Sequence, residues 1–129
     1  MASEATIRAG GLEFRVEYRR FGGDQGPAIS VFGEVDGSPV QVLRFDCFDQ
    51  VPHYHYDPDG VNGFHRHDRR VVPDVVAWSL AQLRDNLPAM VKTAGYPQLA
   101  AAIDGEAIAA RVGDIGRAVA AVTPGRGGG

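Results

Sequence analysis

The chain has 129 residues, 44% of them hydrophobic and 22% charged, and a formal net charge of -3. That is room for one compact domain of ordinary globular composition, which excludes a wholly disordered chain and a fibrous repeat. The mildly acidic balance argues against nucleic acid as a partner, since a phosphate-binding surface needs a basic stripe.

The one basic cluster, His65 to Arg70, is interrupted by Asp68 and follows Asp57 and Asp59. Cys47 is the single cysteine, so no internal disulfide can form. The first residues lack the basic and apolar regions of a signal peptide, and no stretch approaches the ~18 apolar residues of a membrane span. These features point to a cytoplasmic protein with no membrane partner.

From the N-terminus to about residue 70 the chain reads with period two. A short strand at residues 6–9 turns at Gly10-Gly11 into a strand where Leu12, Phe14, Val16 and Tyr18 alternate with Glu13, Arg15, Glu17 and Arg19. Gly22 to Pro27 reads as a turn. Ile29, Val31 and Val35 then share a face, and Asp36-Gly37 marks a hairpin into a strand over residues 40–48. There Leu43, Phe45 and Cys47 face one way, and Val42, Arg44 and Asp46 the other. By parity Phe32, Phe48, Tyr54 and Tyr56 fall on the face opposite the core.

After residue 70 the period becomes helical. Val76, Leu80, Leu83, Leu87 and Met90 or Val91 form one stripe, with Pro73 in the first turn and Asp74 near the positive dipole end. Pro88 kinks or splits this helix, and Gly95 and Pro97 end it. A second stripe runs through Ile108, Val112, Ile115, Val119 and Val122, with Asp104 as its cap. Trp78 belongs to core or interface. The expected fold is α+β: an antiparallel meander of three to five strands over about residues 6–70, then two or three helices packed on one face. Residues 1–122 form the single domain, and 123–129 a flexible glycine-rich tail. Apolar surface beyond what one helical layer covers suggests a homodimer or a partner protein.

All four histidines lie between residues 53 and 67, as two H-x-H pairs around the turn-forming run Asp57 to Gly63. A hairpin pairing His55 with His65 and His53 with His67 would gather four imidazoles on one patch. Imidazole is the commonest metal-ligand side chain, so His53, His55, His65 and His67 are the candidate ligands for zinc, iron, copper, nickel or manganese. Asp57, Asp59 or Asp68 would add a carboxylate. Tyr54, Tyr56, Arg66 and Asp68 are the candidate contacts for an organic ligand. A one-residue slip in pairing would divide the patch between the two faces.

Two functions follow. One is a small binding or accessory module that presents the His/Tyr-rich hairpin, residues 53–67, to a ligand or partner. The other is a metal-dependent small-molecule enzyme with cupin-like site chemistry, an analogy of ligands only, since a cupin barrel needs more strands. Competing chemistry has little support. Cys47 lies too far along an extended strand for a dyad with His53 or His55, and reads as a small buried hydrophobe. The run Asp57-x-Asp59 departs from a calcium loop at Val61 and Asn62. The chain has no phosphate-binding glycine loop and no nucleophile elbow.

Overall fold

The structure, a computed structural model, describes residues 4–125. Six strands form one sheet in chain order: β1 (Glu4–Ala9), β2 (Leu12–Phe21), β3 (Asp24–Val35), β4 (Ser38–Asp46), β5 (His53–Tyr56) and β6 (Gly63–Arg66). Every neighbouring pair is antiparallel. Five short helices follow: α1 (Val75–Asp85), α2 (Leu87–Thr93), α3 (Pro97–Ala101), α4 (Gly105–Ala109) and α5 (Val112–Val122). The α+β meander with C-terminal helices is thus the observed architecture. The expected glycine-rich tail falls largely outside the described residues.

The helices cover one face of the sheet. Phe14, Val16, Ile29, Val31, Leu43 and Phe45 point into them and are fully buried, against Leu83, Leu87, Val91, Ile108 and Ile115. Each such side chain contributes about 1.5–3 kcal/mol on leaving water. Pairing with Phe45 and Leu43 places Tyr54 and Tyr56 on this face as well, not on the opposite one that simple parity suggested. The connection between β4 and β5 is not a straight strand, so parity does not carry across it. Between Val31 and Phe32 the β3–β4 register shifts, leaving Val42 unpaired in the ladder. Its side chain is buried, contrary to the alternation expected for β4.

The helical stripes are cut where the backbone chemistry changes. Asp74 caps α1 by accepting the Ala77 N–H at 3.0 Å, so Pro73 lies just ahead of the helix, not inside its first turn. Pro88 occupies the first turn of α2, which splits the long stripe as expected. Asp104 caps α4 through the Ala107 N–H at 3.1 Å. Val112, Ile115, Val119 and Val122 form the buried stripe of α5.

The hairpin register decides the fate of the histidines. Tyr56 pairs with Gly63, His55 with Phe64, Tyr54 with His65 and His53 with Arg66. The loop has six residues, 57–62, because Gly63 already belongs to the strand. One residue fewer than the seven expected shifts the pairing by one. The four imidazoles therefore do not share a patch. His53 and His55 lie on the open face, while His65 and His67 lie on the helix side.

Candidate metal centre

On the open face the residues run in cross-strand rows. One row is Arg15, Ser30, Arg44, His55 and Phe64; the next is Glu17, Ala28, Asp46, His53 and Arg66. Directly opposed side chains on one face lie about 5 Å apart. The pairing of β4 with β5 thus sets Asp46 beside His53 and next to His55. Asp46 is 1% exposed, and the His53 side chain 11%. Nε2 of His53 is 3.0 Å, and Nε2 of His55 3.3 Å, from Oδ2 of Asp46. Ligand atoms from the three residues all lie within 4.8 Å of one another.

The other ring nitrogens are held in place. Nδ1 of His53 is 2.7 Å from the carbonyl oxygen of Val51, and Nδ1 of His55 is 2.7 Å from Oδ1 of Asn62. Both partners are acceptors, so each Nδ1 carries the proton and each Nε2 of a neutral ring presents a lone pair. That lone pair faces a carboxylate oxygen, which is repulsive unless a cation lies between. Nε2 of His55 is buried without a hydrogen-bond partner. A proton on every Nε2 is a poor remedy, because burial pushes the His55 pKa down. Asp46, by contrast, is held ionised. Burial alone would raise its pKa, but the charge and hydrogen bond of Arg44 are among the contacts that outweigh burial and bring it down to about 2.

Two guanidiniums complete the shell. Arg44 Nε donates to Oδ2 of Asp46 at 3.0 Å, and Arg19 donates to Oδ1 at 3.1 Å. Phe48 meets the His53 ring edge-on at 5.4 Å between centroids, and Phe64 lies 4.6 Å from His53 and 5.3 Å from His55. The aromatic rings limit water on that side and strengthen the charges within.

Local folding explains this placement. Asp24 accepts the N–H groups of Gln25, Gln50 and Val51 at 2.9, 2.9 and 2.7 Å. That clamps the β4–β5 connection and aims the Val51 carbonyl at His53. At the other end, Asp57 and Asn62 sit at positive φ, 50° and 57°, which Asp and Asn tolerate better than most residues. Asp57 ties the loop together by accepting Val61 N–H at 2.8 Å and the Tyr96 hydroxyl at 2.6 Å.

The remaining candidates lie elsewhere. His65 stacks on Tyr54 at 5.0 Å, and His67 meets the edge of Trp78 at 4.5 Å. Tyr54, Arg66 and Asp68 border an open cleft of about 430 Å³ with these histidines and Trp78; Tyr56 stands edge-on to Tyr54 and His65. None of the three carboxylates expected to assist the histidines does so. Asp57 holds its own loop, Asp59 accepts from Gln41, and Asp68 pairs with Arg70. The carboxylate that does is Asp46, whose signal was its outward parity on a strand just before the first H-x-H pair. Cys47 forms no dyad: its Sγ is 3.6 Å from the Ser79 hydroxyl, and burial pushes the thiol up to about 11.

Asp46, His53 and His55 can therefore hold a metal ion. Ligand atoms in a tetrahedral site with bonds of 2.0–2.1 Å stand about 3.3 Å apart, close to the 3.0 and 3.3 Å that separate Oδ2 of Asp46 from the two Nε2 atoms. No helix among the described residues is long and apolar enough to cross a membrane. No curated protein and no solved structure matches the chain. The model of a domain of unknown function, DUF7700, matches residues 6–119, and the chain belongs to that family.

Proposed function

We propose that this domain is a small binding module built around one divalent transition-metal ion, held by Asp46, His53 and His55 on the open face of the sheet. The observation that carries this reading is the pair of Nε2 atoms 3.0 and 3.3 Å from one buried carboxylate oxygen, each ring with an acceptor oxygen 2.7 Å from its Nδ1. Outer hydrogen bonds of this kind orient imidazole ligands and make them more basic. Two imidazoles and one carboxylate suit zinc or non-haem iron(II). Bound there, such an ion keeps positions for an exchangeable ligand and polarises it. The chain's own residues fix the geometry, shield one side with Phe48 and Phe64, and surround the carboxylate with two guanidiniums. The opposite side of the same hairpin, with its cleft beside Trp78, supports a contact role toward a ligand or partner.

The test is metal content. Untagged protein equilibrated with zinc and desalted should retain about one equivalent by elemental analysis. His53→Ala, His55→Ala and Asp46→Asn should each lower affinity beyond the roughly 10–100-fold cost of losing an outer hydrogen bond. His65→Ala and His67→Ala, on the other face, should retain the ion. A folded wild-type protein that keeps no zinc, iron or nickel overturns the reading. So does equal loss on mutating either pair.

A further inference from the structure

The sheet ends at β6, beyond the strands β1 to β5 that the helices cover. The chain leaves β6 inward, toward the end of β4: Arg69 donates to the carbonyl oxygens of Phe48 and Asp49 at 2.6 and 2.9 Å. Backbone groups along an antiparallel strand point to its two sides in alternation. His67 donates its N–H to the Pro52 carbonyl at 2.9 Å, which turns His67, His65 and Gly63 toward β5. The N–H and C=O groups of Phe64 and Arg66 therefore point outward. Edges are commonly guarded by a proline, a bulge or a covering helix. β6 has neither proline nor bulge. Apolar surface gathers at the same edge. Phe64 is 51% exposed, Val61 in the hairpin loop 87%, and Val71, which borders the cleft with Phe64 and His65, 77%. Among the described residues Phe21 is the only other large hydrophobic exposed to this degree.

We infer that β6 pairs antiparallel with β6 of a second copy of this chain, joining two six-stranded sheets into one. The edge is complementary to itself. With the twofold axis at His65, Phe64 stands opposite the partner's Arg66, and Arg66 opposite the partner's Phe64. Each of these pairs exchanges two N–H···O=C bonds, so four bonds satisfy all eight outward groups. Pairings centred on Phe64 or on Arg66 satisfy only half of them within the strand. On the open face each arginine then meets an aromatic ring, and no like charges stand directly opposed. The two open faces become one surface, on which the two copies of β5 lie three strand spacings, about 14 Å, apart. The pairing uses backbone groups of β6 alone and does not depend on a metal ion.

A four-residue edge buries less than the roughly 1,200 Å² of a standard interface, so the dimer is weak and is sought by sedimentation equilibrium between roughly 10 μM and 1 mM. Arg66→Pro removes one outward N–H and leaves the β5–β6 ladder its bonds, so the dimer dissociation constant should rise about tenfold or more. Arg66→Thr keeps that N–H and should weaken the dimer much less. His65→Cys gives a reading that does not depend on tolerance of proline. Across the axis the two Cα atoms of residue 65 stand about 4.5 Å apart, within reach of a disulfide. In Arg66→Cys the corresponding atoms stand roughly 9 Å apart, beyond it. On mild oxidation His65→Cys should form a covalent dimer about tenfold faster, or more, than Arg66→Cys. Cys47 is buried and stays out of the reaction. A wild-type protein that is monomeric across the whole range overturns the inference and leaves the edge to an extended segment of a different protein. Equal association of Arg66→Pro and wild type overturns it as well, as does equal cross-linking of the two cysteine variants.

Discussion

At the scale of single residues, the two histidine pairs live in different electrostatic surroundings although their sequence contexts look alike. His53 and His55 face a carboxylate. His67 faces the Trp78 edge and the Tyr54 ring, and its Nε2 is buried without a hydrogen-bond partner. Burial, with smaller contributions from the His53 and Arg69 charges, pushes the His67 pKa below 6.5. The folded state therefore disfavours protonated His67. The linked stability is fully present above the unfolded value near 6.5. It declines as pH falls below that value toward the lowered native one, because there the unfolded chain binds a proton that the native chain refuses. Histidine ring nitrogen spectra should show His67 more than half neutral at pH 6.5. In His67→Phe, the loss of stability on acidification from pH 7 should be shallower than in wild type. A native His67 that titrates at 6.5 or above contradicts this account.

At the scale of elements, the β5–β6 hairpin is the part that the sequence specifies least visibly and on which the site depends most. Asn62 serves it twice, adopting φ 57° and accepting from Nδ1 of His55. Two substitutions separate these roles. Asn62→Gly keeps the backbone easy and removes the acceptor, so zinc affinity should fall about 10–100-fold with little change in melting temperature. Asn62→Ala loses the acceptor and also strains the backbone by about 1 kcal/mol or more, so the melting temperature should drop as well. Unchanged zinc affinity in Asn62→Gly would remove the argument from tautomer fixing. Much of the architecture was legible beforehand. Alternation in β2, the Asp36-Gly37 turn, the Pro88 break and the Asp104 cap are local signals, each satisfied within a few residues. The pairing register of β5 with β6 is not local. It follows from whether Gly63 ends the loop or begins the strand, and glycine fits both. Asp46 was missed for a related reason: its meeting with His53 depends on a connection clamped by the side chain of Asp24, a residue some 22 positions earlier in the chain. The open-face arginines were visible as the polar half of an alternating strand, a pattern that solvent exposure alone explains.

At the scale of the whole molecule, the helices matter to the site because they cover one face of the sheet from β1 to β5 and leave the polar face to chemistry. α5 packs on β1, β2 and β3, α3 on β3, and α2 on β4 and β5. The layer is also anchored at its far corner, where the β1–β2 turn meets the start of α4. The Asp104 N–H donates to the Gly10 carbonyl at 3.1 Å. A Cβ at Gly10 would lie 2.5 Å from the Asp104 carbonyl oxygen and 2.6 Å from Cγ1 of Ile108, a fully buried side chain. Gly22, in the β2–β3 turn, has nearly the same φ, 59° against 60°, and nothing within 4 Å of its Cβ direction. Alanine at either glycine carries the left-handed strain of about 1–2 kcal/mol. Only at Gly10 must a helix also move, which adds the roughly 1–3 kcal/mol of forced overpacking. Gly10→Ala should therefore melt several degrees below Gly22→Ala. Zinc retention should persist in the folded fraction of both variants, because the triad lies at the other edge of the sheet. If the two variants melt together, the β1–β2 turn does not seat the helices, and the open face must owe its exposure to the packing of α2, α3 and α5 alone.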